Sequence, residues 1–445
     1  MRYMTRVATV IFIIGVMSVQ SLFGQQKVSL SVDQAIDLAL KNNKQYKQAE
    51  ADLEKSNYQI NEAWGYAMPT ITGNIQYTRT LKPNVFFITQ TDSSGKSRIN
   101  KLQIGADNAY TMGISINQAL FSKTVGTALE VAEIYEDYSS EGLRSSKLAT
   151  IFNTKKAYYS ALLAKSFYND AKKIYDLTEA NYNNVHEMYK NGMASEFDEL
   201  RLSVQLSNTA PKVLQAENSF KLALLNLKNT IGADANSELE LSDEFKLTQV
   251  GADQTSNASE ISIDNNATIK QLEIQKSLLD KNTEITEAGF WPSLYAFGSF
   301  SRQTQANNFD FGSYSWVNSA SVGLQLSIPI FSGLQTYWKV EQNKVDARKL
   351  DYQIDYLKDN LKLSANQAAL KLSESKKRVD AQEKSVGQAE KALSIAEARF
   401  KNGVGLQLEI LDAQVALSQT LTNRSQAIYD YLIAKAEWEQ AVGLE

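Results

Sequence analysis

The chain contains no cysteine, one histidine and only five prolines in 445 residues. Without cysteine there is no disulfide framework, thiolate metal site, iron–sulfur cluster or cysteine nucleophile. His186 alone excludes a histidine-rich zinc or iron site and any two-histidine relay. A basic excess is also missing, since 50 acidic against 46 basic side chains leave a net charge of -4. Nucleic-acid binding needs a basic face that displaces counterions, so no nucleic-acid partner is expected. No apolar run approaches the roughly 18 residues of a membrane-spanning helix. Length alone suggests two or three domains, but the scarcity of proline points to long uninterrupted elements.

Residues 1–24 carry Arg2 and Arg6, an apolar run from Val7 to Val19, and Ser21-Leu22-Phe23-Gly24 ahead of polar Gln25-Gln26-Lys27. That order describes a secretory signal peptide, cut after Gly24 or, alternatively, at Ser21. Removing it takes away two arginines and lowers the net charge from -4 to -6. The protein is expected to be exported, with no cysteine to carry a lipid anchor.

The mature chain is one unit written twice. Asn42-Asn43-Lys44-Gln45-Tyr46-Lys47-Gln48-Ala49-Glu50 lies over Asn265-Asn266-Ala267-Thr268-Ile269-Lys270-Gln271-Leu272-Glu273, and the same offset carries Pro69 onto Pro292. Gly113 to Phe121 matches Gly323 to Phe331. Tyr189-Lys190-Asn191-Gly192 matches Phe400-Lys401-Asn402-Gly403, and that register continues through Leu200/Leu411, Val204/Val415 and Leu206/Leu417 to Gly232/Gly443. The first copy has the longer insertion between Pro69 and Gly113. The boundaries that follow are a first repeat over 25–232, a polar acidic connector over 233–261 and a second repeat over 262–445.

Each copy reads as helix, strand, loop, strand and two long helices. The first helix spans about Val32 to Glu62 behind a cap at Ser31-Val32-Asp33-Gln34, and about Thr268 to Ala288 in copy two. Strands are expected over about 70–80, 109–121, 293–303 and 315–331. In the first of them Ile71, Ile75 and Tyr77 share one face and Thr70, Thr72, Asn74, Gln76 and Thr78 the other, a period of two. Pro83, Asp92-Ser93-Ser94-Gly95 and Asn307-Asn308 mark the loops. Lys123 to Asn191 and Leu334 to Asn402 have no proline, and at about 1.5 Å per residue each would make a helix of roughly 100 Å. Leu372, Val379, Val386, Leu393 and Phe400 fall seven apart, a coiled-coil seam flanked by Ser375, Gln382, Ala389 and Ala396, also seven apart. Asn191-Gly192 and Asn402-Gly403 supply the stops, so residues of about 123–232 and 334–443 form two helical hairpins. Only Pro211 interrupts a returning leg, where Thr422 stands in the other copy.

Four amphipathic strands cannot close a membrane barrel, since the smallest use about eight, and an open edge in lipid leaves backbone groups unpaired. Oligomerisation resolves this, three subunits giving a barrel of about 12 strands above their helical hairpins. The alternative is an exported coiled-coil structural or adhesive protein without a pore. No nucleophile with its base, phosphate-cradling glycine loop or metal spacing appears, so neither an enzyme activity nor a cofactor is expected.

Several segments resemble the TolC-like outer-membrane efflux proteins: Leu38-Ala39-Leu40-Lys41-Asn42-Asn43, Pro69 and Pro292 at strand entry, Leu326-Ser327-Ile328-Pro329-Ile330-Phe331-Ser332-Gly333, and Ala398-Arg399-Phe400-Lys401-Asn402-Gly403 followed by Glu409-Ile410-Leu411-Asp412-Ala413-Gln414. The resemblance covers residues of about 28–443. It implies a homotrimer, mainly α with a small β part, in which a 12-stranded β-barrel in outer-membrane lipid continues into a long periplasmic α-helical barrel. It also implies a periplasmic adaptor (membrane fusion) protein and an inner-membrane RND (resistance–nodulation–division) or ABC transporter as partners, and the role of exit duct for solutes. Carried over by position, the family's periplasmic gate falls on Tyr189, Asp198, Phe400 and Gly405, and its constriction carboxylates on Glu409 and Asp412. The turns Asn191, Gly192, Asn402 and Gly403 fall where the adaptor docks. Phe400 has no hydroxyl and Gly405 no charge, so the family's arginine–aspartate lock cannot form here in its usual way. Met193, Leu406 and Leu408 could supply an apolar constriction instead. Trp64, Tyr66, Trp291, Tyr314 and Trp316 flank strand ends, where membrane interfaces favour amphipathic rings; Trp64 and Trp291 could equally be core.

Overall fold

The computed structural model describes residues 28–444 except 83, 92, 94, 244 and 246–262. The signal peptide, Pro83 and most of the connector lie outside the described residues. In chain order the elements are β1 (Val28–Leu30), α1 (Val32–Asn42), α2 (Lys44–Ala67), β2 (Thr70–Arg79), β3 (Asn84–Thr91), β4 (Ser97–Ile104), β5 (Asn108–Phe121), α3 (Lys123–Lys190) and α4 (Glu196–Thr230). Then follow β6 (Leu239–Leu241), α5 (Ala267–Glu287), β7 (Ser293–Ala306), β8 (Val317–Ser327), α6 (Gln335–Lys401) and α7 (Gln407–Val442). The chain divides into two compact units that cut across the duplication, each drawing segments from both copies.

The first unit comprises the described residues within Met1–Asp52, Ser140–Gln271 and Ile354–Glu445. Its opening helix starts on a reciprocal capping box: the Ser31 hydroxyl accepts the Gln34 N–H at 3.3 Å while the Gln34 side chain accepts the Ser31 N–H at 3.0 Å. The single helix expected over about 32–62 is two helices, because Asn43 turns to ψ 128° and ends α1. Its Oδ1 accepts the N–H groups of Gln45 and Tyr46 at 2.8 and 3.1 Å, capping α2, while its Nδ2 donates to the Thr230 carbonyl at 2.8 Å. Copy two repeats the device: Asn266 Oδ1 accepts from Thr268 and Ile269 at 3.0 and 3.4 Å, and its Nδ2 donates to the Ala441 carbonyl at 3.2 Å.

Each asparagine therefore joins the start of a helix to the end of a hairpin, and glycine completes the joint. Gly232 and Gly443 have φ of +67° and +73°, and a Cβ there would lie 2.6 Å from the Asn42 carbonyl oxygen or 2.7 Å from that of Asn265. A short parallel pair, β1 with β6, sits beside the first joint and was not foreshadowed by the sequence.

The heptad seam is buried as its spacing predicts: Leu372, Val379, Val386 and Leu393 are all enclosed, packing on Ile428, Tyr431, Leu417 and Leu421 of α7. Charged pairs flank it, Lys155 with Glu439 at 2.7 Å, Lys371 with Glu437 at 3.0 Å, Lys173 with Glu390 at 3.0 Å, and Arg378 with Asp430. Inside, Ser166 and Ser425 share a 2.8 Å hydrogen bond beside Asp170, whose carboxyl is raised above the usual range by burial, against the pull of Arg424 and Lys173.

The second unit comprises Leu53–Ser139 and Leu272–Gln353. Its antiparallel sheet has the order β2-β5-β7-β8, so β5 and β7 pair one copy with the other. Ile71, Ile75, Ile114, Ile116, Phe300, Val322, Leu324 and Leu326 occupy one face in register. The other face carries hydroxyl ladders, Thr72 with Ser115 at 2.6 Å, Ser299 with Ser321 at 2.8 Å and Ser301 with Ser319 at 2.9 Å. The apolar face is open to its surroundings, with Ile75 86 % and Val322 90 % exposed. All four clusters of buried apolar side chains among the described residues belong to the helical unit.

Three expectations change here. The last strand ends at Ser327 rather than near 331, because Pro329 has no N–H to pair and biases the chain before it away from regular structure. The loop read between the strands of copy one contains an antiparallel hairpin of its own, β3 with β4. Trp64, Trp291 and Tyr66 are 50 %, 54 % and 63 % exposed, which removes the core reading for both tryptophans.

Candidate functional site: the two hairpin turns

Both turns belong to the helical unit. The first closes with Gly192 at φ +72°, its N–H donating to the Tyr189 carbonyl at 2.9 Å and that of Met193 to Met188 at 2.8 Å. Ser195 caps α4: its hydroxyl accepts the Asp198 N–H at 3.1 Å and donates to the Asp198 carboxylate at 2.6 Å. Asp198 is thus held by its own cap, where Glu196 and Glu199 also favour the helix dipole. One turn inside, Tyr182 donates to Glu199 at 3.2 Å and His186 Nδ1 meets the same carboxylate at 3.1 Å, with the two rings 5.5 Å apart. Desolvation, then the Glu199 charge, holds the Tyr182 hydroxyl above its ordinary range. Tyr189 is exposed.

The second turn uses Gly403 at φ +74°, but the residue ahead of α7, Leu406, offers no side-chain cap. The Val404 and Gly405 N–H groups both donate to the Arg399 carbonyl, at 3.0 and 3.1 Å. This folds Gly405 so tightly that a Cβ would come within 2.9 Å of both the Phe400 nitrogen and Arg399 Cβ. The position onto which the resemblance carries an arginine has no room for one without opening the turn. A guanidinium does lie at this turn, that of Arg399: its Nε donates to Glu409 at 3.2 Å and its Nη2 to the Val404 carbonyl at 3.3 Å.

Phe400 is half-buried and packs against two clusters at once, that of Val386, Leu393 and Ile410 and that of Val185, Leu202 and Leu411. It therefore fastens the two hairpins of one chain together. Asp412 is exposed on the next turn of the same helix as Glu409. Among the described residues no hydrogen bond or ion pair joins Asp198 or Tyr189 to Glu409 or Asp412. Sequence reasoning missed Arg399, Glu199 and Tyr182. The signal for the first was the antiparallel hairpin itself, which brings residues equidistant from Val404 face to face.

A family model described as Outer membrane efflux protein matches residues 35–233 and 259–444, one block per copy. The alkaline protease secretion protein AprF of Pseudomonas aeruginosa is 23% identical over 356 residues, covering 78% of this chain and 72% of that protein. The outer membrane protein TolC of Vibrio cholerae is 23% identical over 345 residues, covering 74% and 76%. The solved CmeC outer membrane channel of Campylobacter jejuni superposes with a TM-score of 0.73 at 17% identity, covering 95% of this chain and 90% of that one. With both copies matched and this fold shared, the chain belongs to the outer membrane efflux protein family and is an outer-membrane channel.

Proposed function

We propose that three copies of this chain form a homotrimer whose sheets close one barrel through the outer membrane, and that the trimer is the exit duct of a tripartite pump. The observation that carries this reading is the open sheet: β2 and β8 are its two edges, and its apolar face has no cover among the described residues. The strands alternate in direction from β2 to β8, so β8 of one copy can pair with β2 of the next in the antiparallel pattern of the rest. Residues 1–24 direct export and are removed. The helical repeats extend into the periplasm, where the turns Asn191-Gly192 and Asn402-Gly403 dock an adaptor protein, and an inner-membrane RND or ABC transporter supplies the cargo. The chain itself acts as a conduit and catalyses nothing.

The gate in this reading is the second turn. Glu409 and Asp412 line the constriction, and Arg399 offsets part of the Glu409 charge. Three copies then place a ring of carboxylates around a narrow opening, which favours cations. Purified protein in mild detergent should migrate as a heat-modifiable trimer and give defined conductance in a planar bilayer; a non-conducting monomer would sink the proposal. Glu409→Ala with Asp412→Ala should weaken the cation preference, and unchanged selectivity would remove both residues from the pore.

A further inference from the structure

Three pairs of a cation over an aromatic ring occur among the described residues, and all three lie in the sheet unit, at the end where its strands are joined by loops and not by helices. The Arg79 guanidinium is 5.8 Å from the Phe309 ring centre, the Lys101 ammonium 6.0 Å from Phe87, and the Arg302 guanidinium 5.2 Å from Trp316. Two of them belong to the apolar face. Arg79 follows Ile75 and Tyr77 at two-residue steps along β2, and Arg302 stands between Met112 on β5 and Asn318 on β8. All three cations are exposed, and none pairs with a carboxylate among the described residues.

The charge around them is opposite to that of the chain. Residues 79–107 and 302–316 together hold three arginines and three lysines against Asp92, Asp107 and Asp310, in a protein of net charge -4. A guanidinium laid on a ring is weakly hydrated, and its donor fork stays in plane for an acceptor such as phosphate. In a barrel that crosses the outer membrane, an outward-facing cation backed by a ring at this end meets the headgroups of the outer leaflet.

We propose that this end of the barrel binds the phosphate groups of an anionic glycolipid of the outer leaflet, through Arg79, Arg302 and Lys101. Each presents a ring-backed cation to a phosphate oxygen, and the protein takes the place of a divalent cation that would otherwise bridge neighbouring lipids. The proposal rests on the outer-membrane placement of the sheet.

The test uses the full-length trimer in mild detergent, titrated with micelles carrying diphosphoryl lipid A or the same lipid stripped of both phosphates. The wild type is expected to bind the phosphorylated form about a hundredfold more tightly, the scale of a few charge-assisted contacts. Arg79→Gln, Arg302→Gln and Lys101→Gln together should abolish most of that preference, while Arg79→Lys, Arg302→Lys and Lys101→Arg should keep most of it. Equal affinity of the wild type for the two lipids, or an unchanged preference in the glutamine variant, overturns the proposal. Planar-bilayer conductance on the same preparations separates it from the channel reading. Unaltered conductance with lost preference supports the proposal, and unaltered conductance with retained preference defeats it.

Discussion

Asn43 with Gly232 and Asn266 with Gly443 do the same work in the two copies, whereas the turns at the far ends of the hairpins share little beyond their glycines. At the joints, side-chain amide, carbonyl and left-handed glycine repeat almost atom for atom. At the turns, the first copy caps its helix with Ser195 and gathers Tyr182, His186 and Glu199, while the second has no cap and uses Arg399 and Glu409. Backbone closure tolerates few solutions, because a buried helix end must satisfy its N–H and C=O groups. An exposed turn has many solutions, and the copies have taken different ones.

Breaking the joints should have the largest effect. Gly232→Ala or Gly443→Ala adds a left-handed penalty of about 1–2 kcal/mol and a methyl group on top of a backbone carbonyl, so neither variant should yield a stable trimer. Gly192→Ala and Gly403→Ala meet open space and should lose only the conformational part, read as a small drop in denaturation midpoint. Equal losses at all four glycines would refute the distinction between joints and turns.

The returning legs offer the next contrast. Leu417 is buried in the seam and Leu206, its counterpart, is half-buried. Leu417→Ala should cost about 2–4 kcal/mol and Leu206→Ala about 1 kcal/mol or less, measured by chemical denaturation.

A smaller and pH-dependent contrast is Asp170, which stands where the other copy has Ala381. Its raised carboxyl means that the folded protein holds this proton more tightly than the unfolded chain. The associated stability is present in acid and lost as pH rises from the ordinary carboxylate range through the raised value. Asp170→Asn should therefore melt like wild type near pH 4 and higher than wild type near pH 7. A constant difference at both pH values would place the effect elsewhere. The smallest effect on stability, about 1 kcal/mol or less, is expected for Arg399→Gln, since the Glu409 pair is half-exposed. Its consequence should appear instead in single-channel recordings, as a stronger cation preference.

The duplication, the alternating strands, the heptad seam and the stop glycines were all legible, because each rests on a short-range period or a residue with a special backbone. The break at Asn43 was half legible: its counterpart Asn266 already preceded a helix start, yet the apolar periodicity runs across Asn43 without a pause. The β3–β4 hairpin was hidden because Val85-Phe86-Phe87-Ile88 is apolar at both parities, which erases the alternation that marks a strand. The Arg399–Glu409 pair could not be read from spacing along one helix, since it crosses a turn. Phe400 and Gly405 were placed by alignment, and packing decides what an aromatic or a glycine does there.

The absence of a buried cluster from the sheet unit bears on how the molecule comes to exist. The helices of one chain have their own interior and can gain stability by a first-order process. The four strands have none among the described residues, and in the proposed trimer a sheet with two free edges and an uncovered apolar face gains its stability from lipid and from the other copies. Maturation of that half is therefore a reaction of higher molecularity. Its rate should climb steeply with the density of newly exported chains, and at low density a half-made subunit waits as a substrate for chaperones and proteases.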